Sequence, residues 1–107
     1  MRRGEVQWVD FDPARGGAAR KRRPAVIVSN NDANVAQNRV QVVPLTSNTS
    51  RVYAWEALVT VDGKPAKAMA DQIRTVAKER LGGYIGTLTQ PEVLAVEQAI
   101  RLQLGLP

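Results

Sequence analysis

The chain has 107 residues, 44% of them hydrophobic and 23% charged, and a net charge of +5. That size and balance suit one domain, residues 1–107, with one modest core; they argue against global disorder, and no run of about 18 apolar residues offers a membrane span. Cysteine and histidine are both absent, which excludes disulfides and thiolate–metal sites and removes the commonest general base, so catalysis would have to run on Arg, Lys, Asp, Glu, Ser, Thr or Tyr, with no metal or cofactor expected.

Glu5 to Phe11 alternates polar and apolar residues and includes Val, Trp and Phe, which predicts a first strand. Asp12-Pro13 ends it. Ala14 to Arg22, with Gly16-Gly17 inside, reads as a long basic loop, and Arg15, Arg20, Lys21, Arg22 and Arg23 crowd into ten positions. Pro24 has no N–H for a ladder, so it suits a strand start or an edge. Ala25 to Val28 is the expected second strand. Ser29 to Asn34 is dense in turn and cap residues, and a short helical turn is expected before Arg39.

Val40 to Leu45 predicts a third strand and Thr46 to Arg51 a polar loop. Tyr53 to Val61 predicts a fourth strand, with Asp62-Gly63 as a tight turn. Ala66 to Ala70 is a short fifth strand, and Asp71 to Val76 continues extended. Lys78 to Gly83 reads as a turn region and Tyr84 to Leu88 as a last extended piece. Thr89 then N-caps a helix, with Pro91 in its first turn and Glu92 at the capping-box position. Val93, Val96, Ile100 and Leu104 follow at helical spacing as a core stripe, and Gly105 ends the helix. Short strands, tight turns and one closing helix suggest a strongly curved sheet or partly open barrel. Met1 to Glu5 lacks the apolar segment of a secretory signal, so a cytoplasmic location is expected.

Three groups of residues could carry chemistry. The basic run is either a solvated face or, with Arg23 held immediately before a proline and a buried strand, a clamp for phosphate. Thr46, Ser47 and Asn48 at a strand end could bond a phosphate or a base edge, or simply shape a turn. Asp71 or Gln72 could read a base edge, while Asp71 could equally pair with Arg74. Trp8 and Trp55 sit in predicted strands and read as core or interface. No Walker loop, dinucleotide fingerprint or nucleophile elbow is present.

Taken in order, Gly4-Glu5-Val6-Gln7-Trp8, Lys21 to Ser29, Val43-Pro44-Leu45-Thr46-Ser47 and Ala70 to Val76, with the capped C-terminal helix, resemble the MazF/PemK/Kid-type toxins of bacterial toxin–antitoxin systems. The resemblance implies a mainly β, SH3-like (CcdB/PemK-like) small barrel with short helices and a C-terminal helix, assembled as a homodimer. It implies sequence-specific, metal-independent cleavage of single-stranded RNA (mRNA, tRNA or rRNA) to 2′,3′-cyclic phosphate and 5′-hydroxyl ends. An antitoxin with an acidic tail would occlude the groove and could carry the pair onto operator DNA. By position the catalytic arginine falls on Arg23, with Arg22 as the alternative, and the catalytic threonine on Thr46. Arg15, Arg20, Lys21, Arg22, Ser47, Asn48, Asp71 and Gln72 fall on the substrate side, and Ala14 to Arg22 on a gating loop.

Two other readings compete with cleavage. One is a non-cleaving toxin on the same barrel that grips RNA or a protein target such as gyrase. The other is a basic domain without a site, in which neutralising Arg23 or the distant Lys64 would do equal, small harm.

Overall fold

The computed structural model describes residues 1–12 and 21–107, with the backbone alone at Asp12 and Lys21. Arg15, Arg20 and the Gly16-Gly17 loop therefore lie outside the described residues. The strands are β1 (Glu5–Asp12), β2 (Lys21–Ile27), β3 (Arg39–Thr46), β4 (Glu56–Val61), β5 (Lys64–Met69), β6 (Arg74–Ala77) and β7 (Leu81–Thr87); the helices are α1 (Asn31–Ala36) and α2 (Gln90–Leu104). All strand pairs are antiparallel, in the order β4-β5-β3-β2-β1-β7, with β6 on β3 beside this path. The expected mainly β fold with a C-terminal helix is what forms.

Pleating puts successive side chains on opposite faces, and here both faces are buried. Val6, Val26, Val43 and Leu45 join the larger core under α2. Val9, Ala25, Ile27, Val40 and Val42 form a smaller second core with Val76, covered by Phe11 and Leu81. This explains the near-continuous apolar runs of β2 and β3. A tight turn joins β4 to β5, where Asp62 and Gly63 take φ of 52° and 75°. Antiparallel two-residue hairpin loops favour such left-handed conformations.

α2 starts as the sequence predicts. Thr89 accepts from the Glu92 amide and Glu92 reaches back to the Thr89 amide, closing a capping box. Gly105, at φ 68°, ends it in the left-handed conformation. Val96 and Ala99 are buried, with Val93 and Ile100 packed on the same core; burying a valine this fully is worth about 1.5–2 kcal/mol. Leu104 departs from the expected stripe. Every residue from Arg101 onward is exposed, so the last turn carries past the core and Ala99 takes the buried position instead.

Several local expectations need correction. β2 begins at Lys21, so Arg22 and Arg23 belong to a strand and not to the preceding loop. Pro24 lies within β2 and not at its start; β1 pairs with it on one side, and on the β3 side the ladder ends at Ala25, so Pro24 sits at a local edge. Tyr53 to Trp55 precede β4, because a turn closed by the Glu56 amide on the Tyr53 carbonyl interrupts the extended run. Ala70, Asp71 and Gln72 form a 3-10 turn, and extended chain resumes only at Arg74. Lys78 to Arg80 form a second 3-10 turn, after which Leu81 to Gly83 pair with β1 as strand.

Candidate active site

The ladder between β2 and β3 pairs Ile27 with Val42, Val26 with Val43 and Ala25 with Pro44, and stops there. Continued two residues further, the same register would set Arg23 opposite Thr46. Two prolines explain why it does not continue. Neither Pro24 nor Pro44 has an N–H to donate, and beyond Pro44 the strand is held on its other edge, with Leu45 and Thr46 paired to Ala68 and Lys67 of β5. Meanwhile Trp8, Val9 and Asp10 of β1 hold Pro24, Arg23 and Arg22. The two strands part, and the gap is a cleft lined by Trp8, Arg23, Pro24, Leu45, Thr46 and Ser47.

The structure thus brings Arg23, Thr46 and Ser47 to one cleft. Arg23 is exposed and Thr46 half-buried. The Thr46 hydroxyl oxygen accepts from the Asn48 amide at 3.3 Å, and Asn48 Oδ1 accepts from the Ser50 amide and hydroxyl at 3.2 and 2.8 Å. Asn48 therefore shapes the turn that fixes Thr46, while the Thr46 O–H stays available as a donor. Arg23 offers a planar set of donors carrying a permanent positive charge. Chemically, the pair can bind an anionic, tetrahedral or trigonal-bipyramidal centre from two sides.

The remaining site candidates are distributed differently. Arg22 lies outside the cleft lining; its guanidinium sits 5.5 Å from the Trp8 ring centroid and Nη2 donates to the Gly82 carbonyl at 3.4 Å. Asp71 and Gln72 are exposed on the 3-10 turn and are likewise not among the residues that line the cleft. Gln72 Nε2 approaches Met69 Sδ at 3.5 Å. The same turn touches the next segment, since the Ala70 amide donates to the Trp55 carbonyl at 3.2 Å.

Trp8 and Trp55, read as core or interface, lie outside both cores and are partly exposed, as is Tyr53. Trp8 is 40% exposed, Tyr53 41% and Trp55 38%. Trp8 keeps the strand phase of Val6 but faces the opened ladder, so no strand covers it. Tyr53 and Trp55 stack at 4.9 Å with planes 3° apart, and Arg51 lies 5.5 Å from the Tyr53 centroid. Lys67, the register partner of Thr46, forms an ion pair with Glu56 at 3.0 Å and donates to the Arg51 carbonyl at 2.6 Å. The sequence signal for this group is Arg51, Tyr53 and Trp55 at a spacing of two, a cation interleaved with aromatic residues, masked by the strand-like composition around it.

Comparison with known proteins places the chain in a family. The family described as PemK-like, MazF-like toxin of type II toxin-antitoxin system matches residues 2–104. The protein named endoribonuclease MazF9 of Mycobacterium tuberculosis is 44% identical, covering 99% of this chain and 98% of its own. The endoribonuclease toxin MazF of Escherichia coli is 30% identical across 95% of this chain and 92% of its own. Among solved structures, an endoribonuclease in complex with its cognate antitoxin from a mycobacterial species superposes with a TM-score of 0.83 at 30% identity, covering 100% of this chain and 97% of that one.

Proposed function

Because the chain belongs to the PemK-like, MazF-like toxins of type II toxin–antitoxin systems, we propose that it is an endoribonuclease that cuts single-stranded RNA at a short sequence. Cleavage halts translation and growth until a cognate antitoxin with an acidic tail covers the groove. The active form is a homodimer. The observation that supports this reading best is the cleft at the β2–β3 split, where Arg23 and Thr46 from separate strands line one opening.

The chemistry asks little of the protein beyond alignment and charge. RNA carries its own nucleophile. The 2′-oxygen attacks the adjacent phosphorus and loses its proton; the bond from phosphorus to the 5′-oxygen breaks; that oxygen gains a proton and leaves as a 5′-hydroxyl. The other product is a 2′,3′-cyclic phosphate. Charge builds on the non-bridging oxygens of the phosphorane, where preorganised donors act most strongly. Arg23 supplies the positive charge and the Thr46 hydroxyl donates to a non-bridging oxygen. A guanidinium stays protonated, so Arg23 serves as a donor and not as a base. The proton given up by the 2′-hydroxyl passes to water and the 5′-oxygen takes one from water, so the step balances, and the charge that a metal could offset is assigned to Arg23.

The test is cleavage of a mixed-sequence single-stranded RNA in excess EDTA by the native protein, Arg23→Ala, Thr46→Ala and Lys64→Ala. Discrete cuts with cyclic-phosphate ends are expected from the native protein and Lys64→Ala. Each cleft variant should lose about 10²–10³-fold in rate, the usual cost of one oxyanion donor. Equal, small losses in Arg23→Ala and Lys64→Ala, or cutting that stops in EDTA, would refute the mechanism.

A further inference from the structure

The segment between β3 and β4 holds an arrangement that the cleavage step leaves unused. Tyr53 and Trp55 present two parallel rings that are 41% and 38% exposed, and neither is among the residues of the two cores. Exposed aromatic groups of this kind mark interaction sites. Two cations stand beside the rings, Arg51 and Lys67, the latter balanced by Glu56. Arg51 stands 5.5 Å from the Tyr53 ring and its Nη1 reaches the Tyr53 hydroxyl at 3.0 Å, while Lys67 Nζ lies 5.9 Å from the same ring.

The stack is also built to stay in place. Glu56 Oε1 accepts from the Tyr53 amide at 2.9 Å and from Lys67 Nζ at 3.0 Å. Lys67 Nζ holds the Arg51 carbonyl, and the Ala70 amide holds the Trp55 carbonyl. The two charged side chains at the centre of this network are nearly enclosed, at 11% and 7% exposure. Because Lys67 is the register partner of Thr46, the network ties the stack to the strand that carries the cleft.

We propose that the Tyr53–Trp55 stack is a base-binding subsite of the RNA groove, holding an unpaired base of the strand whose neighbouring phosphate lies at Thr46. This rests on the endoribonuclease reading and adds a residue-level subsite to it. Aromatic faces beside cations suit single-stranded nucleic acid, since every base has a π-face and every linkage a negative charge. Base stacking is tolerant of sequence, so the subsite adds affinity and selects unpaired RNA, leaving readout of the cut sequence to polar contacts elsewhere.

The experiment uses the native protein with a fluorescein-labelled, mixed-sequence 2′-O-methyl oligoribonucleotide, which lacks the nucleophile and stays intact. Anisotropy reports binding and tryptophan emission reports stacking. Trp55→Ala should weaken binding about tenfold or more, remove most of the RNA-induced quenching and leave binding of an abasic oligomer unchanged. Trp55→Phe, which keeps a ring and guards against a folding artefact, should restore most of the affinity. Unchanged affinity in Trp55→Ala, or quenching that survives intact in it and so belongs to Trp8, would overturn the subsite. Quenching by poly-L-glutamate but not by the oligonucleotide would make the stack a protein-docking surface and also overturn it. Unmodified RNA is assayed for cleavage in parallel. A native protein that neither binds nor cuts RNA would bring down the parent reading together with the subsite, whereas cleavage with intact Trp55→Ala affinity would sink the subsite alone.

Discussion

Replacing Glu56 with alanine tests the network that holds the aromatic stack. Glu56 accepts from Lys67 Nζ at 3.0 Å and from the Tyr53 amide at 2.9 Å. Its removal strands an ammonium that is only 11% exposed. A hydrogen bond to a charged group contributes about 1.5–3 kcal/mol, and breaking a buried pair costs about 3–5 kcal/mol. Lys67 keeps the Arg51 carbonyl and some solvent, so the cost stays below that of a fully buried pair and in the upper part of the charged hydrogen-bond range, about 2–3 kcal/mol. Unfolding entropy near about 2.1 cal/mol/K per residue then converts this into a melting-point loss of about 9–13 °C for a chain of 107 residues. Thermal unfolding followed by circular dichroism at neutral pH measures it. The double variant Glu56→Ala/Lys67→Met removes the stranded charge as well, and should recover at least about 1 kcal/mol relative to the sum of the single changes. A Glu56→Ala protein that melts within about 2 °C of the native one, or strictly additive effects in the cycle, would refute the reasoning.

Three further outcomes are expected. Partial desolvation pushes the Glu92 carboxyl up, but hydrogen bonds from the Thr89 amide, the Thr60 amide and the Thr89 hydroxyl outweigh it and hold the group below its ordinary value of 4.5. The stability this provides is present above that value and is lost as pH falls through the lowered one; Glu92→Gln should lose stability at neutral pH and show a shallower acid decline, and an identical acid decline would contradict the assignment. A Cβ at Gly82 would come 2.9 Å from Arg22 Nη2; that flexible tip can yield, so Gly82→Ala should change stability by under about 0.5 kcal/mol while shifting Trp8 emission as Arg22 leaves its ring, and unchanged emission would refute this. RNA binding that neutralises about three phosphates should weaken about 20-fold from about 50 to about 200 mM salt, and a flat response would count against the basic groove.

Much of the fold was legible because it rests on local rules. The alternation of Glu5 to Phe11, the Asp62-Gly63 turn and the Thr89–Glu92 capping box each specify backbone through neighbours in sequence, and all three formed. The misreadings have a common physical cause. At Tyr53 to Trp55, strand-forming side chains were overridden by a turn that depends on Glu56 and on Lys67 from another strand. At Leu81 to Gly83, glycines that read as a turn pair with β1, which supplies the ladder partners. Leu104 has helical phase with Val96 but no core beneath it.

The candidate site divides along the same line. In the sequence Arg23 beside a proline and Thr46 at a strand end stood among several candidates, and it was the resemblance to the toxin family that paired them. That they meet in one cleft follows only from the register of β2 against β3 and from the two prolines that end its ladder. The exposure of Trp8, the lining of the cleft by Arg23 and not by Arg22 or Gln72, and the clamp that Lys67 places on the Tyr53–Trp55 segment were likewise settled by tertiary pairing. Local propensity acts over a few residues, whereas a site made from several strands depends on contacts between residues far apart in sequence, and those contacts exist only once the sheet has closed.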